Sequence, residues 1–210
     1  MPQAPGKLVI LSGPSGVGKS TVVRRLLERT GPRLRLSVSA TTRQPRPGEV
    51  DGRDYHFLSQ EDFDRRRSAE EFLECIEVFG RGHWYGTLLS EVTPSLAEGQ
   101  WVLLEIDVDG AERALAAYPE AVSVFMTPAA DPEEAGRVLR ERLEARGTET
   151  PEAIERRLEV ARRELQRAGS YRHVVVNAGP TPAQGESATG PDAAVEEFFR
   201  LLVKEGLADD

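Results

Sequence analysis

Contiguous apolar residues at Leu8-Val-Ile-Leu11 predict a short strand over residues 7–12 that is buried on both faces, since a half-buried strand would alternate. Over residues 20–29 the apolar positions are Val22, Val23, Leu26 and Leu27, which is helical spacing, and Gly31-Pro32 ends the run. Residues 34–41 alternate and predict a strand with one polar side. Residues 43–54 carry two prolines, two glycines and six charges, so a loop is expected there. Ser59 with Glu61 and Asp62 behind it reads as a helix start. Residues 72–79 can form a strand, after which Gly80, Gly82 and Gly86 break up an aromatic stretch. Buried strands are expected at 101–106, 121–127 and 173–176. Helices are expected at 109–118, 133–145, 151–168 and 193–204. Residues 178–191, rich in Gly, Pro, Ser, Ala and Thr, have the composition of a loop. There is no internal repeat. Strands alternating with helices argue an α/β protein with a parallel sheet, interrupted by polar insertions at 38–89 and 130–160.

Between the first strand and the first helix lies Gly13-Pro14-Ser15-Gly16-Val17-Gly18-Lys19-Ser20, followed by Thr21. This is the pattern G-x-x-x-x-G-K-[ST] in the strand–turn–helix setting that the motif requires. Its glycines let backbone N–H groups converge on phosphate oxygens at the positive end of the next helix. Lys19 is placed to reach the β- and γ-phosphates, and the Ser20 hydroxyl to bind Mg²⁺. A nucleoside triphosphate site follows, but such a loop does not name the second substrate.

Composition adds limits. The chain has 210 residues, 39% hydrophobic and 30% charged, which suits a globular domain able to bury a core. The longest apolar runs, 8–11 and 101–104, are too short to span a bilayer, and the first residues show no secretory signal. A single cysteine, Cys75, excludes an internal disulfide and a cysteine-rich zinc site, and the cytoplasm is the default expectation. The net charge of −8 disfavours a general nucleic-acid coat. Charge is uneven, however. Residues 1–48 hold nine Lys/Arg and one acid, 49–136 hold six Arg and twenty acids, and 137–167 hold nine Arg and seven acids. Two cationic stretches in an acidic chain suggest local anion sites, although charge runs also form on solvated surfaces.

The stretch Ser37-Val-Ser-Ala-Thr-Thr-Arg43-Gln-Pro-Arg46-Pro-Gly-Glu-Val-Asp-Gly-Arg-Asp-Tyr55 closely resembles the guanylate kinase family. The family's other marks follow in order: Phe72-Leu-Glu74, Tyr85-Gly-Thr87, Leu104-Glu-Ile-Asp107, Arg142-Leu-Glu-Ala-Arg146, Arg157 and Val174-Val-Val-Asn177. The resemblance runs from about residue 7 to 177. It implies a P-loop nucleoside-monophosphate-kinase fold, a parallel sheet core flanked by helices. The core would comprise 1–37, 90–129 and 161–210, with a GMP-binding insertion at 38–89 and a helical lid at 130–160. It implies ATP and GMP, and by extension dGMP, as substrates and Mg²⁺ as cofactor. Nucleic acid and membrane are not expected partners, and monomer and homodimer both stay open.

By that resemblance Glu74 accepts from N1–H and the 2-amino group of guanine, a pair of donors that adenine lacks. Ser39 and Thr87 offer hydroxyls to the base edge. Arg43, Arg46, Tyr55 and Tyr85 would hold the acceptor phosphate. Asp107 is counted with the GMP site, assisting Mg²⁺ through water or holding an arginine, with a helix cap as the structural alternative. Arg142, Arg146 and Arg157 would converge on the triphosphate, and Asn177 on adenine. His56, His83 and His173 are read as structural or surface residues, and Cys75, with no basic partner near it in sequence, is not expected to act as a nucleophile. The chain departs from the family pattern in the longer Gly80-Arg-Gly-His-Trp-Tyr85 segment, in Glu105 for the commoner Asp, and in the insertion at 178–191. Two other readings share these motifs. A non-catalytic phosphopeptide-binding module is opposed by the intact phosphate loop, and a kinase for a sugar phosphate is opposed by Glu74, Ser39 and Thr87.

Overall fold

A computed structural model describes residues 6–78, 82–145, 147, 150–178 and 190–208. In chain order the elements are β1 (Leu8–Ser12), α1 (Lys19–Thr30), β2 (Leu34–Leu36), β3 (Ala40–Thr41), β4 (His56–Phe57), α2 (Gln60–Ser68), β5 (Phe72–Val78), β6 (His83–Leu88), α3 (Leu89–Ala97), β7 (Trp101–Glu105), α4 (Val108–Ala117), β8 (Val122–Thr127), α5 (Pro132–Ala145), α6 (Pro151–Leu165), β9 (His173–Val176) and α7 (Pro191–Lys204). Five strands form a sheet in the order β2-β7-β1-β8-β9. The pairs β2–β7 and β8–β9 are parallel, with Leu34 opposite Trp101 and Val124 opposite His173. Every residue of β1 and β8 is buried, including the polar Ser12, Ser123 and Thr127, so both strands are covered on both faces, as the contiguous apolar run of β1 predicts.

The chain divides into two compact units, one of residues 1–9, 34–104 and 109–121, the other of 10–33, 105–108 and 122–210. In the second unit α1 and α7 pack on each other, with Val22, Val23 and Leu26 buried in the one and Ala194, Val195, Phe198, Phe199 and Leu202 in the other. Fully burying a Leu or Phe side chain is worth about 1.5–3 kcal/mol, so this seam rather than its charged edge holds the helices. Along that edge Arg25 pairs with Asp192 and Arg29 with Glu196, and the Arg29 guanidinium lies 4.0 Å from the ring centre of Phe199. Helices α5 and α6 form a hairpin. Ala135, Leu139 and Leu143 are buried in α5, and Ile154, Leu158, Ala161 and Leu165 in α6, at helical spacing. Thr150 caps α6 by accepting from the Ala153 N–H, with Pro151 in the first turn.

In the first unit a four-stranded sheet runs β4-β3-β6-β5, with β3–β4 parallel and the other pairs antiparallel. Its core joins Ala40, Phe63 and Leu88 to Leu58, Phe72, Cys75 and Trp84, and the rings of Phe63 and Phe72 stack at 4.4 Å. Ser59 caps α2 by accepting from the Asp62 N–H, as its sequence predicts.

Three local expectations change. The strand predicted over 34–41 divides into β2 and β3, which belong to different sheets. Helix α3 was not foreseen, because it is nine residues long and holds Pro94, a residue that removes a helical N–H. Gly86 does not interrupt the aromatic stretch but lies inside β6. A Cβ there would fall 2.8 Å from both the Cys75 Cβ and the Glu74 carbonyl oxygen, so glycine allows close approach of β5.

Candidate active site

The second unit holds the phosphate loop between β1 and α1. Gly13 has φ +142°, and a Cβ on it would sit 2.2 Å from the Met126 carbonyl oxygen. Gly18 has φ +98°, and its Cβ would sit 2.6 Å from Asn177 Nδ2. No side chain caps α1 and no acid lies in its first turn, so its N–H groups are open to an anion. The Lys19 ammonium donates to the carbonyl of Gly13 at 2.5 Å and to that of Pro14 at 3.4 Å. Burial pushes its pKa below the usual lysine value, and the charges of Glu105, Glu164 and Asp107 oppose that. The Ser20 hydroxyl donates to Glu105 Oε1 at 2.7 Å.

Three expected ligands of the nucleotide brace this loop. Asn177 is buried, 4% exposed, and donates from Nδ2 to the Val17 carbonyl at 2.7 Å. Its Oδ1 is buried without a hydrogen-bond partner among the described residues. Arg142 of α5 donates to the same Val17 carbonyl at 3.0 Å and to the Asn177 carbonyl at 2.7 Å. Arg157 of α6 donates to the Ser15 hydroxyl at 2.6 Å. Arg146, the fourth, lies outside the described residues, as do residues 179–189 of the predicted insertion.

The first unit gathers a different set. Glu74 on β5 is 6% exposed and accepts from the Thr87 hydroxyl of β6 at 2.8 Å, so Thr87 orients the carboxylate. Ser39 is partly buried, and its carbonyl receives the His56 N–H at 2.9 Å. Arg43 donates from Nε to the Tyr85 hydroxyl at 3.1 Å, and its guanidinium stands 5.3 Å from the ring centre of Tyr55. The rings of Tyr55 and Tyr85 meet edge-on at 5.9 Å. Arg46 is exposed. Among the expected acceptor residues, Ser39, Arg43, Arg46, Tyr55, Glu74, Tyr85 and Thr87 belong to this unit, whereas Asp107 belongs to the unit of the phosphate loop. Burial raises the Cys75 thiol, with the Glu74 charge adding to it, which suits an unreactive side chain. His56 and His173 are engaged with Glu91 and Glu205 at 3.0 and 2.8 Å.

Two residues at these sites carried no signal strong enough to single them out. Glu105 stands out in the sequence only as a departure from the family pattern, yet a carboxylate ending a buried strand is a recurrent partner of a phosphate-loop hydroxyl. Glu49 looked like one more charge in a polar loop, but it forks onto Arg43 at 2.9 Å through each oxygen. Ser20 Oγ and Glu105 Oε1 are hard oxygens 2.7 Å apart, a donor set that fits Mg²⁺. That ion takes one or two protein oxygens and fills its shell with phosphate and water. No helix among the described residues is long and apolar enough to cross a membrane.

The sequence model of the guanylate kinase family matches residues 5–180. The chain is 49% identical over 202 residues to the guanylate kinase of Rhodopirellula baltica, covering 96% of this chain and 89% of that protein. It is 51% identical over 178 residues to the guanylate kinase of Nocardia farcinica, covering 85% and 89%. Among solved structures, a guanylate kinase from Anaplasma phagocytophilum superposes with a TM-score of 0.72 at 29% identity, covering 99% of this chain and 89% of that one.

Proposed function

Because the chain belongs to the guanylate kinase family, we infer that it is an ATP:GMP phosphotransferase, converting ATP and GMP to ADP and GDP. The observation that carries the reading is the buried Glu74 carboxylate, aimed by Thr87 in the same unit as the Arg43, Tyr55 and Tyr85 cluster. Glu74 accepts from guanine N1–H and the 2-amino group. Adenine would leave that buried charge unmatched. Ser39 and Thr87 complete the base edge. Arg43 and Arg46 with the hydroxyls of Tyr55 and Tyr85 hold the acceptor phosphate. None of these groups is assigned to the ribose 2′-hydroxyl, so dGMP is an acceptor too.

On the donor side the backbone N–H groups of the loop from Gly13 to Thr21, Pro14 having none, cradle the triphosphate. Lys19 leaves the carbonyls of Gly13 and Pro14 for the β- and γ-phosphates. Arg142, Arg146 and Arg157 screen the charge spread over the transferring group. Ser20 and Glu105, with Asp107 through water, would hold Mg²⁺, which would supply neutralisation of the triphosphate charge. An oxygen of the GMP phosphate forms the new bond to the γ-phosphorus while the bond to the β–γ bridging oxygen breaks, and ADP leaves. The protein forms no covalent intermediate. Its part is alignment and exclusion of water. The reaction belongs in the cytoplasm, and a phosphopeptide-binding module would have no use for Lys19.

Steady-state kinetics on two variants test this. Lys19→Ala should lower kcat by about a hundredfold or more, the scale of a lost charge contact in the transition state. Glu74→Gln should raise the KM for GMP about tenfold or more and leave the KM for ATP near its original value, as expected for one charge-assisted hydrogen bond. Unaltered GMP kinetics in Glu74→Gln would remove the basis for guanine recognition.

A further inference from the structure

Glu49 touches neither substrate, yet it ties together both arginines of the acceptor-phosphate loop. Its Oε1 accepts from Arg43 Nη2 at 2.9 Å, and its Oε2 accepts from Arg43 Nη1 at 2.9 Å and from the Arg46 backbone N–H at 2.7 Å. Its own N–H returns to the Arg46 carbonyl at 3.0 Å, closing a turn over 46–49. The pair is well covered, with side-chain exposures of 12% for Arg43 and 20% for Glu49. Arg43 has five N–H donors. Nε goes to Tyr85, Nη1 to Gln44 and Glu49, and Nη2 to Glu49. Among the described residues that leaves one Nη2 hydrogen without an acceptor, and the Tyr85 hydroxyl accepts from Arg43 without donating in turn. The ring centres of Tyr55 and Phe57 lie 5.3 and 5.7 Å from the guanidinium, adding cation–π contact to the ionic pair.

We propose that Glu49 is a positioning residue of the acceptor-phosphate site, which fixes the Arg43 fork and the Arg46 backbone so that their remaining donors meet a phosphomonoester. The proposal rests on the reading of Arg43 and Arg46 as acceptor-phosphate ligands. An unheld arginine samples many rotamers and loses that freedom when it binds, whereas a pinned one has lost it beforehand. Glu49 itself does not titrate in the working range. The hydrogen bonds from Arg43, first, and from the Arg46 N–H hold its carboxyl below the usual value. pH is accordingly not the readout.

Binding of GMP and of guanosine, compared in the full chain, is the readout. Glu49→Gln keeps the size of the side chain but sets an amide N–H₂ against the guanidinium. It should weaken GMP about tenfold or more, as loss of a bidentate ionic pair implies, and leave guanosine, which lacks the phosphate, within twofold. In an Arg43→Lys background the same substitution should add little, because its effect passes through Arg43. Equal weakening of GMP and guanosine, full additivity with Arg43→Lys, or unaltered GMP binding would each overturn the proposal. If Glu49→Gln folds poorly, Glu49→Asp carries the same test, since a shorter carboxylate cannot span both guanidinium nitrogens and the Arg46 N–H. Failure of the unsubstituted protein to bind GMP would overturn the acceptor reading and this proposal together. GMP binding that is indifferent to Glu49 overturns this proposal alone.

Discussion

Side chains that a motif assigns to the ligand also serve here as supports for the loop. Asn177 and Arg142 both donate to the Val17 carbonyl, and Asn177 lies where a Cβ on Gly18 would go. A Gly18→Ala variant would have to hold φ near +98° and displace Asn177. Left-handed backbone in a non-glycine residue costs about 1–2 kcal/mol and overpacking about 1–3 kcal/mol, so the KM for ATP should rise at least about tenfold. The affinity for GMP should stay put. Equal ATP kinetics for variant and parent would mean that Asn177 yields freely. At this scale the sequence was only partly legible. Gly18 and Lys19 were visible because the motif is local, but Asn177 reaches Val17 across 160 positions and Ser20 reaches Glu105 across 85. Glu49 is near its partners in sequence, yet no pattern distinguishes an orienting carboxylate from a solvated one.

Elements were read best where burial enforces a simple period. β1 and β7 were plain from the unbroken apolar runs 8–11 and 101–104, and α1 and α7 from apolar positions at helical spacing. The alternation of 34–41 did not disclose that β2 and β3 part company at Ser37, whose N–H bonds to the Leu103 carbonyl at 2.9 Å. Helix α3 stayed hidden because Pro94 argues against helix locally while packing of Val92 and Ser95 decides for it. The join of β9 to the end of α7 makes a pH-dependent prediction. Glu205 accepts from His173 at 2.8 Å and pairs with Arg172 at 3.0 Å, and the His173 hydrogen bond is the main cause that lowers its pKa. A carboxyl depressed in the folded state adds stability that is present above its ordinary pKa and lost as pH falls through the folded value. Glu205→Gln should therefore lower the Tm at pH 7 by about 2–4 °C, the shift expected for about 1 kcal/mol in a chain of this length. The gap should close in acid. A gap that is constant from pH 7 down to pH 3 would show that the charge of Glu205 is immaterial.

For the whole molecule, the net charge of −8 conceals what its distribution discloses. The cationic first 48 residues include Lys19, Arg43 and Arg46, and the arginine-rich stretch 137–167 includes Arg142 and Arg157 on the phosphate loop. Much of the remaining positive charge is ordinary helix-surface pairing. Arg24 meets Glu28, Arg137 meets Glu141, and Arg163 meets Glu159, each one turn away. Exposed pairs of this kind contribute little to stability. Charge clustering thus combines arginines that contact the phosphate loop or the acceptor loop with arginines in surface pairs, and in the sequence only the motifs tell the two apart. The central claim is that the acceptor is a guanine nucleotide, chosen by Glu74. The most direct measurement is ADP release from ATP with GMP, dGMP, AMP, CMP or UMP as acceptor. GMP and dGMP should drive turnover, and the other three should fall at least about a hundredfold below GMP in kcat/KM, since none presents guanine's adjacent N1–H and 2-amino donors to Glu74. No stimulation by GMP, or equal stimulation by AMP, would contradict the account.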